Sequence, residues 1–336
     1  MITFTISADA AGQRLDKLVR RALRDVPLSH VYKMFRTRKV RVNGARGRPE
    51  QLVAEGDAVV IRGDEERLMA RPEGAGRVAV TFRVLHEDAD LLAVDKPAGL
   101  ASHPGTGIEG ATLVEMARAH LRTPADLPAA EFRPSPAHRL DRETSGVVLV
   151  AKNRKAMVRL TELFTSGEEI KKTYLALVKG KMPREAGTID LPLAEHEQTS
   201  RSKAARGVHL QEAVTRWKVI SASREVSLLS VTIETGRTHQ IRRHLEAVGH
   251  PVAGDRRYGD FAWNRLARAR WGLRRMGLHA WRLSLPHPVT GAPLRLEAPL
   301  PPELAEVLQR ANLAPPPGAV LGREVGRGPT RPAHRD

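Results

Sequence analysis

Between residues 63 and 76 the sequence GDEERLMARPEGAG carries no sustained apolar period, and this break constrains the fold more than any other feature of the chain. A chain of 336 residues interrupted by such a polar, Gly-containing stretch is read as two cores rather than one. The expected organisation is a small domain over 1–62, a linker over 63–76, a larger domain over 77–312 and a basic tail over 313–336. The tail from Pro315 on is rich in Pro, Gly and Arg with little to bury, so disorder is its default. The fold class is α+β, a small helix–helix–strand domain followed by a domain built on a mixed sheet with flanking helices. In that second part VAVTFRVL and LLAVDKP read as strands, residues 154–166 as a helix, and TYLALVKG as an alternating strand.

Charge is clustered in the first domain. Residues 14–48 hold Arg14, Lys17, Arg20, Arg21, Arg24, Lys33, Arg36, Arg38, Lys39, Arg41, Arg46 and Arg48 against Asp16 and Asp25 alone. Leu15, Leu18, Val19, Ala22, Leu23 and Val26 recur at three- and four-residue steps, which predicts an amphipathic helix over 13–26 with one basic face. Ser29 is read as the N-cap of a second helix, 30–37, that buries Val31, Met34 and Phe35. The period then changes to two around Val40 and Val42, with a turn at Asn43-Gly44 and a further strand from Ala58 to Ile61. The whole chain has 55 Lys and Arg against 38 Asp and Glu, a formal charge of +17, which calls for a polyanionic partner. The absence of cysteine excludes disulfides, a thiolate nucleophile and a zinc-thiolate site. No run reaches the roughly 20 apolar residues that cross a bilayer, and the N-terminus lacks a signal pattern, so a cytoplasmic protein with no membrane partner is expected.

One polar block stands out, Pro136-Ala137-His138-Arg139-Leu140-Asp141-Arg142-Glu143-Thr144-Ser145-Gly146, set before an apolar strand. On residue types alone it is either a solvated turn whose Asp and Thr satisfy backbone groups or a loop carrying chemistry. HRLDRETSG is similar to the signature of the RluA family of pseudouridine synthases. Four more blocks agree in order and spacing: Asp95-Lys96-Pro97-Ala98-Gly99 with His103-Pro104; Lys172-Thr173-Tyr174; Gly236-Arg237-Thr238-His239-Gln240-Ile241-Arg242; and His250-Pro251, Gly254-Asp255, Tyr258-Gly259 followed by Leu278-His279-Ala280. The resemblance covers about residues 12–300. Within it, 12–62 looks like the small RNA-binding domain named after ribosomal protein S-four, a combination that resembles the subgroup modifying large-subunit (23S) ribosomal RNA.

The resemblance implies a base-flipping isomerase without cofactor, in which Asp141 is the catalytic carboxylate, Arg242 keeps it ionised and Tyr174 lies against the uracil. Arg139, Arg237 and His239 are then expected on RNA near the site, and Arg14, Lys17, Arg20, Arg21, Lys33, Arg36, Arg38 and Lys39 on RNA phosphates. The expected partner is RNA, ribosomal most of all, for a monomeric enzyme. Thirteen histidines invite a metal reading, but His239 and His244, five apart, fall on different sides of a helix, so no metal is expected. Three alternatives stand beside this reading: a non-catalytic RNA-binding assembly factor, a synthase acting on transfer RNA, and a glycosidase using Glu143 as a second acid. Residues 256–275, where seven arginines interleave with Tyr258, Phe261, Trp263 and Trp271, are read equally as an RNA surface or as a solvated helix with buried tryptophans. Deleting residues 1–70 should weaken RNA binding and flatten its salt dependence while modification of a short RNA persists at high protein concentration. Plots of log affinity against log salt for the full and truncated chains check this.

Overall fold

A computed structural model describes residues 1–23, 26, 28–63, 78–105, 108, 110–124, 131–194 and 210–320. All but the first residue of the expected linker, the last sixteen residues and Arg24 fall outside the described residues. Two compact units are distinguished. The first is Met1–Val80 with Val114–Ser135 and Ala151–Met157; the second is Thr81–Leu113, Pro136–Val150 and Val158–Asp336.

In the first unit, strands β1 (Ile2–Thr5), β2 (Val40–Val42), β3 (Ala45–Arg46) and β4 (Ala58–Ile61) form an antiparallel sheet in the order β1-β4-β2-β3. Helices α1 (Leu15–Ala22) and α2 (Leu28–Arg36) bury the apolar stripes read from the sequence, with Leu15, Leu18, Val19, Val31, Met34 and Phe35 in one cluster with Val40, Val42, Val59 and Ile61. Ser29 lies inside the first turn of α2 rather than at its N-cap. The residues that lengthen the helix, Leu28, Ser29 and His30, face solvent, so they add nothing to the apolar period from which its start was read.

The remaining elements are β5 (Arg83–Glu87), β6 (Leu91–Lys96), α3 (Leu113–His120), β7 (Ser135–Pro136), β8 (Ser145–Ala151), α4 (Arg154–Ser166), β9 (Lys171–Lys179), β10 (Ala186–Asp190), β11 (Leu193–Ala194), β12 (Leu210–Gln211), β13 (Val214–Ala222), β14 (Val226–Ile233), α5 (Gln240–Ala247), α6 (Phe261–Trp271), β15 (Leu278–Pro286), β16 (Pro293–Glu297) and α7 (Pro302–Arg310). A ten-stranded mixed sheet runs β10-β13-β14-β9-β15-β8-β6-β5, with β16 on β15 and β7 on β8. The strand expected over VAVTFRVL begins only at Arg83. Its register ends at Arg83↔Asp95, because Pro97 beyond the end of β6 has no N–H to extend the ladder. The chain after α7 is tied down as far as Val320, whose carbonyl accepts from Leu300 N, and Leu313 is buried. No helix among the described residues is long and apolar enough to cross a membrane.

β15 is the strand on which the site depends. It pairs antiparallel with β9 on one side, and on the other it meets β16 at its end and β8 at its start. The β15–β8 contact is parallel and only two residue pairs long, His279↔Ser145 and Ala280↔Gly146. Gly146, at φ +117°, has no room for a side chain, since a Cβ there would lie inside the contact distance of the Ala280 backbone. Gly146→Ala should therefore cost more than about 3 kcal/mol of stability, whereas Gly291→Ala, at φ +74° in open space, should cost only about 1–2 kcal/mol of backbone strain. Thermal and denaturant unfolding of the two variants checks the difference.

Candidate active site

The segment between β7 and β8 that carries HRLDRETSG is held to the fold by hydrogen bonds at nearly every residue. Ser102 Oγ donates to Leu140 O at 3.1 Å, Gly99 N donates to Arg142 O at 2.8 Å, and Arg142 Nε returns to Gly99 O at 2.9 Å. Lys96, fully buried, directs its ammonium at three carbonyls, Leu100 O at 2.8 Å, Pro97 O at 3.0 Å and Arg142 O at 3.1 Å. Burial, with Arg275 adding to it, pulls that ammonium down to about 7, while each carbonyl favours an N–H facing it. On the other flank Ser145 Oγ lies 2.8 Å from His279 Nδ1 and accepts from Arg275 Nη2 at 2.6 Å. Burial pushes His138 and His279 down to about 3, so both rings are neutral at neutral pH. His138 Nε2 accepts from Leu149 N at 3.1 Å and its ring packs 4.6 Å from that of Phe164, which orients the loop.

The segment Gly236–Arg242 is fixed in the same way. Buried Gln240, the first residue of α5, donates to Val214 O and Thr215 Oγ1 and accepts from Thr235 Oγ1 and Arg237 N. Two residues on, Arg242 points into the site. Its Nε and Nη2 donate to the two oxygens of Asp255 at 2.6 and 3.0 Å, and its Nη1 donates to Asp141 Oδ2 at 2.8 Å. Burial alone would lower the guanidinium, but hydrogen bonds to Asp255 and Asp141 outweigh it and hold Arg242 above its ordinary value. Asp255 is wholly buried, and its Oδ1 also accepts from Arg257 N at 2.8 Å and Tyr258 N at 3.1 Å. Gly254 precedes it because a Cβ there would strike the Arg275 carbonyl.

Asp141 keeps 27% of its side chain accessible, against 10% for Arg242. It lines a recess of about 100 Å³ with Tyr174, Thr144, Arg139, Arg237, His239 and Arg242. His239 reaches both sides: its Nε2 is 3.6 Å from Asp141 Oδ1, and its Nδ1 is 2.9 Å from the hydroxyl of Tyr258, whose ring lies 4.9 Å from the Arg242 guanidinium. Burial pushes the Tyr174 hydroxyl well above its usual value, with the Asp141 charge adding to it, so Tyr174 is a neutral phenol. The arrangement is one accessible carboxylate paired with a buried guanidinium, beside a flat ring.

The expected residues separate into three groups. Asp141, Tyr174, Arg242, Arg139, Arg237 and His239 come together around the recess. Arg139 is exposed and makes no ion pair with Glu143 among the described residues. Lys17, Arg20, Lys33, Arg36, Arg38 and Lys39 are exposed on the first unit, and Arg21 donates to Gln13 Oε1 at 3.0 Å. Arg14 is committed to its own chain, with Nε and Nη2 on the two oxygens of buried Asp16 at 3.1 and 2.9 Å. Glu143 lines a different groove, with Lys96 and Arg275, and so does not supply a second acid beside Asp141. Asp255, Lys96, Ser102 and Arg275 were not picked out as site residues. Asp255 and Lys96 stand in quoted motifs, yet only the tertiary structure brings them to the site. Ligand atoms of Asp88, Asp90 and His287 lie within 4.8 Å of one another. His287 Nδ1 accepts from Val289 N and Thr290 N, which places its proton on Nε2, facing Asp88 at 3.1 Å as a donor rather than a metal ligand.

The profile of the family described as RNA pseudouridylate synthase matches residues 90–247. Ribosomal large subunit pseudouridine synthase C of Escherichia coli (strain K12) is 39% identical over 315 residues, covering 92% of this chain and 96% of the relative. The protein of the same name from Vibrio vulnificus (strain CMCP6) is 37% identical over 311 residues, covering 90% and 94%. Among solved structures, Human RNA Pseudouridylate Synthase Domain Containing 4 aligns with a TM-score of 0.55 and 29% identity, over 69% of this chain and 94% of that one. The likeness to the bacterial relatives covers nine-tenths or more of both chains, and the chain belongs to the RNA pseudouridylate synthase family and is a pseudouridine synthase.

Proposed function

We propose that this synthase isomerises specific uridines of large-subunit ribosomal RNA with Asp141 as its catalytic carboxylate. The observation that carries the assignment is the Asp141 carboxylate, partly accessible in the recess while Arg242 donates to it at 2.8 Å. The substrate class is drawn from the bacterial relatives, whose names specify the large ribosomal subunit. Isomerisation breaks the bond from ribose C1′ to uracil N1 and forms one from C1′ to C5, and the hydrogen at C5 is exchanged for a proton at N1. Nothing is oxidised or hydrolysed. A carboxylate suffices as nucleophile toward the sugar or ring, or as the base that removes a ribose proton.

The uridine must leave the stack to reach Asp141. Tyr174 supplies a flat apolar face for the extruded ring and a neutral hydroxyl for proton movement. Arg139, exposed at the rim of the recess, occupies the place the base has left or holds the adjacent phosphate, and Arg237 and His239 complete the rim. Residues 1–62 act as an S-four-like RNA-binding domain whose exposed cations hold phosphates and add affinity more than sequence choice. The enzyme works in the cytosol, as a monomer and without cofactor.

Asp141→Asn should abolish pseudouridine formation, by more than about 10³-fold, with RNA affinity within about twofold of the parent, since no phosphate contact is removed. Mapping of pseudouridine in ribosomal and transfer RNA from cells with and without the protein identifies the target, and a transfer RNA site alone would overturn the ribosomal assignment. Asp255→Asn leaves Arg242 one carboxylate short in a buried setting. It should lower kcat by more than about tenfold with KM little changed, because Arg242 then turns toward Asp141 or loses its aim. Single-turnover kinetics on unmodified ribosomal RNA separates the two constants.

A further inference from the structure

The arginine-rich segment after the site is divided by the fold into two populations. Trp271 is 7% exposed and Trp263 packs in the same cluster, their rings 5.8 Å apart, so both tryptophans are core residues. Arg270 is held by Glu225 at 2.5 and 2.7 Å, and Arg275 by Glu303 and Ser145. What is left faces solvent. Phe261 is 58% exposed, and Arg265 and Arg268 are exposed with no acidic partner among the described residues. Phe261, Arg265 and Arg268 are four and then three residues apart, which sets them on one face of α6 over about 10 Å of helix axis. Arg256 is likewise exposed in the approach to the helix.

The helix is also rigidly joined to the site. Asp260 caps it by accepting from Trp263 N at 2.9 Å and is itself paired with Lys179 at 2.6 Å. Asn264 donates to Asp255 O at 3.0 Å and accepts from Gly254 N at 2.8 Å, so α6 and the Arg242-binding loop form one body. Phe261 follows Tyr258 by three residues, which limits their separation to about 10 Å. We propose that this face of α6 is a second RNA-binding surface that seats nucleotides flanking the extruded uridine, the Phe261 ring stacking on an unpaired base while Arg265, Arg268 and Arg256 hold phosphates. The proposal rests on the pseudouridine synthase reading and deepens it. RNA is favoured over a protein partner because α6 contains no acidic residue and its exposed large apolar side chains are Phe261 and Leu266 alone.

The test uses the full chain and unmodified large-subunit ribosomal RNA made by transcription. Phe261→Ala combined with Arg265→Ala and Arg268→Ala should raise KM by roughly tenfold with kcat within about twofold, and should lower the salt slope of binding by more than one unit. Phe261→Trp should retain parental KM, as stacking requires. Arg270→Ala, on the same helix but ion-paired, should behave as the parent. An unchanged salt slope and KM in the triple variant would overturn the proposal and leave the face to an acidic protein. An equal effect from Arg270→Ala would overturn it too, by showing that net charge alone matters. A parental enzyme that forms no pseudouridine on this RNA would refute the substrate assignment instead, while the salt slopes would still decide whether α6 binds RNA.

Discussion

One guanidinium shared between two carboxylates organises the catalytic half of this molecule. Arg242 binds buried Asp255 through two nitrogens and accessible Asp141 through the third. A cation and two anions in a largely dry setting are stable only when each lone pair and N–H is satisfied, and breaking such a pair costs about 3–5 kcal/mol. Asp255 meets that condition by accepting two backbone N–H groups as well. The strands and loops around it are therefore constrained to deliver Asp141, Arg242 and Asp255 from positions 101 and 13 residues apart to within hydrogen-bonding distance. The crowding at Gly146 and Gly254 reflects the same demand: the backbones that carry these side chains are pressed against their neighbours.

Local elements were largely legible in the sequence. Helix α4 was read with its observed bounds, and the stripes of α1 and α2 are the residues that are buried. The start of α2 and the length of β5 were misread because both are decided by what surrounds them, solvent beside Leu28 and the missing N–H of Pro97 opposite the strand. Of the site, the motif residues Asp141, Tyr174 and Arg242 could be picked out because short, dense patterns carry them. Asp255, Lys96, Ser102 and the Arg275–Ser145–His279 chain could not, since each acts through a partner 13 to 134 residues away that only the tertiary structure brings close, even where the residue itself stands in a motif. Arg14 shows the converse. It belongs to the basic cluster by sequence, yet much of its charge is engaged by Asp16 two residues on.

Charge has two uses in this chain, and burial separates them. Buried or half-buried cations such as Lys96, Arg242 and Arg275 bind carbonyls and carboxylates of the fold, where hydrogen-bond geometry sets their worth. Exposed cations such as Lys17, Arg20, Lys33 and Arg36 form few internal contacts and contribute mainly to the field outside the protein, which steers a polyanion at long range and weakens with salt. A net charge of +17 therefore overstates neither the stability nor the specificity of the enzyme; it describes mostly the second group.

His239 sits in the left-handed region, φ 55° and ψ 27°, at the N-terminus of α5. For a residue with a side chain that backbone costs about 1–2 kcal/mol, which a glycine would recover. The imidazole held there spans Tyr258 and Asp141, and no glycine could do that. Backbone conformation and side-chain reach thus pull in opposite directions at this position: the residue that would relax the turn is one that empties the rim of the recess and breaks the link between Tyr258 and Asp141.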